Sequence, residues 1–167
     1  MPLRFLYNIL INIAWFGLKV IAPFNPKISK FVQGRKNTFP ILKKQYDPGN
    51  KTIWMHVASL GEFEQGLPIL EGLRIDYPEH KLVLTFFSPS GYEVKKNTSV
   101  ADSVVYLPMD SNSKVKLFLD LINPELAIFV KYEVWPNYLH HLKKRNIPTF
   151  LVSAIFSERQ IYFKSYG

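Results

Sequence analysis

Beyond Lys51 the sequence switches repeatedly between short β-rich apolar runs and stretches with helical spacing. The runs are Thr52 to Ala58 (TIWMHVA), Lys81 to Phe87 (KLVLTFF), Ser103 to Leu107 (SVVYL), Leu126 to Val130 (LAIFV) and Thr149 to Ser153 (TFLVS). Between the first two, Phe63, Leu67, Leu70 and Leu73 recur at helix spacing and predict a helix over 62–77. Shorter helices are predicted over 92–97, 112–122 and 136–145, with Ser111 as a cap and Pro136 as a helix start. Mostly apolar strands separated by helices imply βαβ units and a parallel sheet covered on both faces. The expected fold class is therefore α/β, with a Rossmann-like parallel sheet.

In such sheets ligands sit beyond the carboxyl ends of the strands. That places the candidate loops at 59–62, 88–91, 108–111 and 131–135, together with the stretch after Ser153. None carries a nucleotide fingerprint: G-x-G-x-x-G is absent, and Gly61 and Gly66 have P-loop spacing but are followed by Leu67-Pro68. There is no cysteine, which excludes disulfides, thiolate metal sites and a cysteine nucleophile. No H-E-x-x-H occurs, and the adjacent His140 and His141 point to different helix faces, so neither a metal nor a cofactor is expected.

The net charge of +8 is distributed unevenly. Residues 1–46 hold eight cations and no acid, whereas the remaining 13 cations are balanced by 13 acids. Such a basic arm suits an anionic surface. Leu3 to Ala22 is almost wholly apolar, and its exceptions Arg4, Asn8, Asn12 and Lys19 share one helical stripe with Trp15. A span needs roughly 20 clean apolar residues, and a central asparagine pair would be costly there. The expectation is an anchor helix over 1–22 lying in the interface of an anionic membrane. A buried core helix and a true span remain open, while Pro23-Phe24-Asn25-Pro26 does not resemble a signal-peptide cleavage site. Residues 23–50, rich in lysine and ending in Asp47-Pro48-Gly49-Asn50, are expected to form a basic connector to a domain over 51–167. Nucleic acid is not an expected partner, because the arm's aromatics lie in an apolar helix rather than between exposed cations.

Two acids stand out at the sheet edge. Glu62 follows the first strand through Ser59-Leu60-Gly61, where Gly61 would allow a tight turn or close approach to a ligand. A carboxylate there suits a general base, but equally a helix first turn. Glu133 lies in Lys131-Tyr132-Glu133-Val134-Trp135-Pro136-Asn137, where an acid and a lysine beside tryptophan could hold sugar hydroxyls and phosphate, or form a surface ion pair. Ser88, Ser90 and Asp110 occupy edge loops in which turn and cap roles are the stronger expectation.

The stretch His56-Val57-Ala58-Ser59-Leu60-Gly61-Glu62 resembles the H-x-x-S-V-G-E signature of the 3-deoxy-D-manno-octulosonic acid (Kdo) transferases. Four further stretches resemble that family in the same order: Thr85 through Ser88-Pro89-Ser90-Gly91, Tyr106-Leu107-Pro108-Met109-Asp110, Lys131 to Asn137, and Lys144-Arg145-Asn146-Ile147-Pro148. The resemblance implies the N-terminal, acceptor-binding half of a GT-B glycosyltransferase, anchored at the cytoplasmic face of the bacterial inner membrane. The family transfers Kdo from CMP-Kdo to a lipid A precursor in lipopolysaccharide biosynthesis, with inversion and without a metal at the sugar. By this likeness Glu62 is the catalytic base, Glu133 a second essential acid, and Ser59, Gly61, Lys131 and Glu133 the acceptor-binding set. One departure is Ser153-Ala154-Ile155 where the family often has Asn-Ala-Arg. Because the sequence ends at Gly167, the donor-binding C-terminal half is expected to be absent and the isolated chain inactive. The alternative function is a non-catalytic glycolipid-binding module at the membrane surface.

Overall fold

The computed structural model describes residues 2–47 and 49–155. Five strands, β1 (Thr52–Val57), β2 (Lys81–Phe86), β3 (Ser103–Tyr106), β4 (Pro124–Val130) and β5 (Thr149–Val152), form one sheet in the order β3-β2-β1-β4-β5. Every pairing is parallel, with His56 opposite Thr85 on one side and Phe129 on the other. The α/β expectation holds, and each expected strand is found with its boundaries within about two residues.

Helices α1 (Pro2–Ile21), α2 (Pro26–Gln45), α3 (Leu60–Asp76), α4 (Pro89–Lys95), α5 (Asn112–Ile122) and α6 (Pro136–Lys144) complete the described chain. The fully buried strand β1 splits its side chains between two cores. Trp54 packs with Leu42 of α2, Phe118 and Leu119 of α5, and Tyr138 and Leu142 of α6. Ile53, Met55 and Val57 face the opposite way, onto Phe63 and Leu70 of α3. Period-two alternation of side chains makes both faces apolar.

The segment expected as a connector is instead helix α2, packed on the sheet. Its start follows a common rule: Asn25 caps it, Oδ1 accepting from the N–H groups of Lys27 and Ile28 at 3.0 and 3.2 Å, and Pro26 occupies the first turn. Its inner stripe runs Val32, Arg35, Thr38 and Leu42, followed by Tyr46, all buried. Gly34 lies so close to the Tyr106 ring of β3 that an added Cβ would sit 2.2 Å from it. Thr38 fixes the contact by donating from Oγ1 to the Tyr106 carbonyl at 2.9 Å. Pro40 lies within α2 but on its exposed side.

The polar stripe of α1 faces the domain at Asn8 and Trp15, while Asn12 and Lys19 stay exposed. Tyr7 donates to Asp110 Oδ2 at 2.8 Å, and Asn8 Oδ1 accepts from the Asn112 backbone N–H at 2.9 Å. Trp15 is buried against Phe31 of α2. The outward face then consists of Phe5, Leu6, Ile9, Leu10, Ile13, Phe16, Val20 and Ile21, all exposed. The stretch Arg4–Phe24 is long and apolar enough to cross a membrane by length and composition.

Candidate active site

The strand order reverses direction at β1: β2 and β3 lie to one side, β4 and β5 to the other. The loops leaving β1 and β4 therefore diverge, opening a crevice at the carboxyl edge where open parallel sheets bind ligands. Glu62 leaves β1 and Glu133 leaves β4, so the two acids flank this switch point.

Glu62 stands in the first turn of α3. Ser59 caps that helix, its Oγ accepting from the Glu62 N–H at 3.4 Å, while Glu62 Oε2 accepts from the Ala58 N–H. This reciprocal arrangement is a variant of the capping box and holds the carboxylate rigidly. Oε1 has no hydrogen-bond partner among the described residues and is available to a ligand. Of the two roles expected of Gly61, the tight turn is not found: its φ is negative and it lies in the first turn of α3, while a Cβ there would meet nothing within 4 Å, leaving room for close approach by a ligand.

Glu133 is held by Trp135 and faced by His56. Trp135 Nε1 donates to its Oε2 at 2.9 Å, and Nε2 of the buried His56 lies 3.4 Å from the same oxygen, near but off hydrogen-bond alignment. On its other edge His56 Nδ1 lies 2.9 Å from Thr85 Oγ1, which also accepts from Trp54 Nε1 at 2.8 Å. Nδ1 also lies 3.1 Å from the Thr85 carbonyl oxygen, which can only accept, so Nδ1 carries the proton on this side, and the Thr85 hydroxyl donates to the Met55 carbonyl at 3.3 Å. A polar chain thus runs from the core tryptophan to the second acid. Sequence reasoning gave His56 no role, although a histidine inside an apolar strand requires partners once buried.

Lys131 and Glu133 do not form a pair. Lys131 adopts the left-handed region at φ 62°, its N–H donating to the Val152 carbonyl at 2.8 Å. It lines a cavity of about 600 Å³ with Gln65, Tyr132, Leu151 and Ser153, on the β5 side of the crevice. The stretch after Ser153 was also a candidate; residues 156–167 lie outside the described residues.

Asp110 proves to be an anchor. It is fully buried, and Oδ2 and Oδ1 accept from the Asn137 and Tyr138 N–H groups, both at 3.1 Å, capping the start of α6. Burial raises its pKa, against the opposing pull of the Tyr7 hydroxyl and the two amides. Ser88 likewise caps α4 through the Ser90 N–H at 3.3 Å. Among the described residues no group of three or more His, Asp or Glu could hold a metal ion.

A row of rings joins α1 to this edge. Trp15 contacts Phe31, Phe31 meets Phe87 at 5.2 Å between centroids, Phe87 meets Trp135 at 4.9 Å, and Trp135 meets His56 at 6.1 Å. Phe87 and Trp135 sit in the loops after β2 and β4, so the row crosses the carboxyl edge.

Residues 32–166 match the family model described as 3-deoxy-D-manno-octulosonic-acid transferase (kdotransferase). The 3-deoxy-D-manno-octulosonic acid transferase of Haemophilus influenzae is 37% identical over 117 residues, which is 69% of this chain and 27% of that protein. The enzyme of that name from Aquifex aeolicus is 39% identical over 103 residues, 61% of this chain and 28% of its own length. A bifunctional glycosyltransferase/methyltransferase of Fusobacterium nucleatum is 28% identical over 159 residues, 92% of this chain and 23% of its own length. The chain thus spans about a quarter of the length of these curated relatives. With the acids at the switch point and the family match covering most of its length, the chain belongs to the 3-deoxy-D-manno-octulosonic-acid transferase family, corresponding to its N-terminal region.

Proposed function

We propose that this chain is the acceptor side of a glycosyltransferase that moves Kdo from CMP-Kdo to a lipid A precursor. The observation that carries the proposal is the placement of Glu62 and Glu133 on the two loops that diverge at the switch point. The acceptor hydroxyl would lie at Glu62 Oε1, the oxygen left without a partner. As that hydroxyl oxygen bonds to the anomeric carbon of the donor sugar, its proton passes to the Glu62 carboxylate. The bond from the anomeric carbon to the CMP phosphate oxygen breaks, and CMP leaves as the anion, giving inversion. No metal is required at the sugar on this reading.

Glu133, held by Trp135 and faced by His56, would orient the acceptor ring through its second oxygen. Ser59 acts through α3, by fixing the turn that carries Glu62. Gly61 leaves open space beside the backbone for the sugar, and Lys131 would meet an anionic group on the β5 side. The donor would be bound by a second, C-terminal half facing this crevice. The apolar face of α1 would lie in the cytoplasmic leaflet of the inner membrane as an interfacial anchor.

The test is Glu62→Gln in a longer chain that supplies the donor-binding half, assayed for Kdo transfer from CMP-Kdo. Loss of a general base costs about 10²- to 10⁴-fold in rate, with thermal melting unchanged. Glu133→Gln should raise KM for the acceptor as well as lowering kcat. Near-normal turnover in Glu62→Gln would remove Glu62 as the base. Retained glycolipid binding with no transfer by the unsubstituted longer chain would favour a non-catalytic binding module.

A further inference from the structure

Arg35 is a buried cation without a counter-charge. It sits in the inner stripe of α2 with 5% of its surface exposed, its guanidinium 3.5 Å from the Phe31 ring centroid and 4.7 Å from that of Phe87. Nη1 and Nη2 donate to the carbonyls of Phe31 and Phe87, but Nε has no partner among the described residues. No carboxylate pairs with it there. Burying an unpaired charge is among the costliest placements a fold can make, and such groups are normally matched by an anion.

Two more cations converge on the same place. Lys114, from the first turn of α5, lies 4.5 Å from the Trp15 ring centroid, and Lys19 of α1 lies 5.6 Å from that ring. Trp15, Lys19, Arg35, Lys36, Met109 and Lys114 line a cavity of about 210 Å³ containing no acid. Burial, then Lys19 and Arg35, depress the Lys114 pKa to about 8, the shift expected of cations crowded without a counter-ion. The volume falls below the range of roughly 300–1,000 Å³ typical of drug-sized ligands and suits a small anionic group.

We propose that this pocket between α1, α2 and the β3–α5 loop is a binding site for the phosphate monoester of a membrane lipid headgroup. The density of cations favours a dianion over a singly charged phosphodiester. The source is a lipid because of where the pocket lies. Lys19 stands on the polar stripe of α1 beside Trp15, and the opposite face exposes Leu6, Leu10 and Ile13. With that face inserted at an acyl boundary, the polar stripe lies at headgroup depth. The inference stands whether or not the chain takes part in sugar transfer.

The test is co-sedimentation of the full chain with phosphatidylcholine vesicles carrying phosphatidic acid or, at matched surface charge, phosphatidylserine. Preference for phosphatidic acid is expected. The pair Lys19→Gln/Lys114→Gln should lose about ten- to thirtyfold of that binding, at the usual worth of a lysine near an anionic surface. The exposed pair Lys43→Gln/Lys44→Gln removes the same charge from the far end of α2 and should keep the preference. Lys19→Arg/Lys114→Arg should restore it. Equal losses in both glutamine pairs, or no preference for phosphatidic acid, would overturn the proposal in favour of general electrostatic attraction. A rise in melting temperature with inorganic phosphate, without any vesicle preference, would overturn the lipid assignment in favour of a soluble anion.

Discussion

Replacing Gly34 with alanine should destabilise the protein, while the same change at Gly72 should stabilise it. In a helix interior the substitution ordinarily contributes about 1 kcal/mol, because glycine loses more backbone freedom on folding. Gly72 in α3 meets nothing within 4 Å, so the full gain is expected there. At Gly34 the new Cβ would lie 2.2 and 2.6 Å from Tyr106 Cε2 and Cδ2, deep inside van der Waals contact. The Tyr106 ring cannot withdraw easily: it is buried, and stacks on Tyr92 at 4.0 Å between centroids. Nor can α2 lift away without breaking the Thr38 hydrogen bond and uncovering Leu42. Overpacking of this kind costs about 1–3 kcal/mol, and the depth of the overlap points to the upper end. Set against the propensity gain, the net loss is about 2 kcal/mol. Urea unfolding in a non-ionic detergent, followed by tryptophan fluorescence, should show midpoints moving in opposite directions at unchanged slope. A midpoint for Gly34→Ala that rises with Gly72→Ala would refute the packing of α2 on β3.

Asp110→Asn removes the charge that accepts from the Asn137 and Tyr138 amides and the Tyr7 hydroxyl; it should cost about 1–3 kcal/mol, with faster amide exchange in α1 as the local signature. Phe5→Asn/Phe16→Asn alters two side chains that are 71% and 68% exposed; melting should be unaffected, while sedimentation with vesicles falls at least about tenfold. Stability should rise between about pH 8 and 10, because Lys114 titrates near 8 when folded against 10.5 unfolded, so the unfolded chain binds more protons there. Above pH 10 Tyr46, pushed up to about 12, works the opposite way, and Lys114→Met should flatten the rise below that point in melting experiments.

The sheet was legible because β-rich apolar runs bounded by turns have few alternative placements, and the acids were legible because parallel topology points to one edge. Helix α2 was obscured by its lysines, by Gly34 and by Pro40. Yet Ile28, Val32, Arg35, Phe39, Leu42 and Tyr46 follow helix spacing throughout. The stripe was hidden because one of its members is a cation, which an apolar template rejects. Asn25-Pro26 was the overlooked start signal. The stripe on α1 was visible, but the surface it faces was not: Asn8 meets Asn112 and Asn137, residues more than a hundred positions away. The split between Lys131 and Glu133 depends on a left-handed residue that sequence spacing does not reveal.

If α1 lies in the membrane interface as proposed, the inward contacts of its stripe change what such a helix can do. A stripe spent on water would leave the domain free to sit at any height above the bilayer. Spent instead on Asp110, Asn112 and Asn137, it ties the apolar face to the loops that build the carboxyl edge. The ring row from Trp15 through Phe87 to Trp135 then sets a fixed offset between that face and Glu133. On the proposed function, an acceptor whose acyl chains stay in the leaflet would present its sugar at one depth, and the fold would hold its two acids at that depth. Such positioning converts a search in three dimensions into one along the membrane plane, the kind of entropy saving from which an enzyme draws much of its rate. The cationic pocket lies beside the same row, so a phosphate held there would fix the remaining freedom, rotation of the headgroup about its own axis.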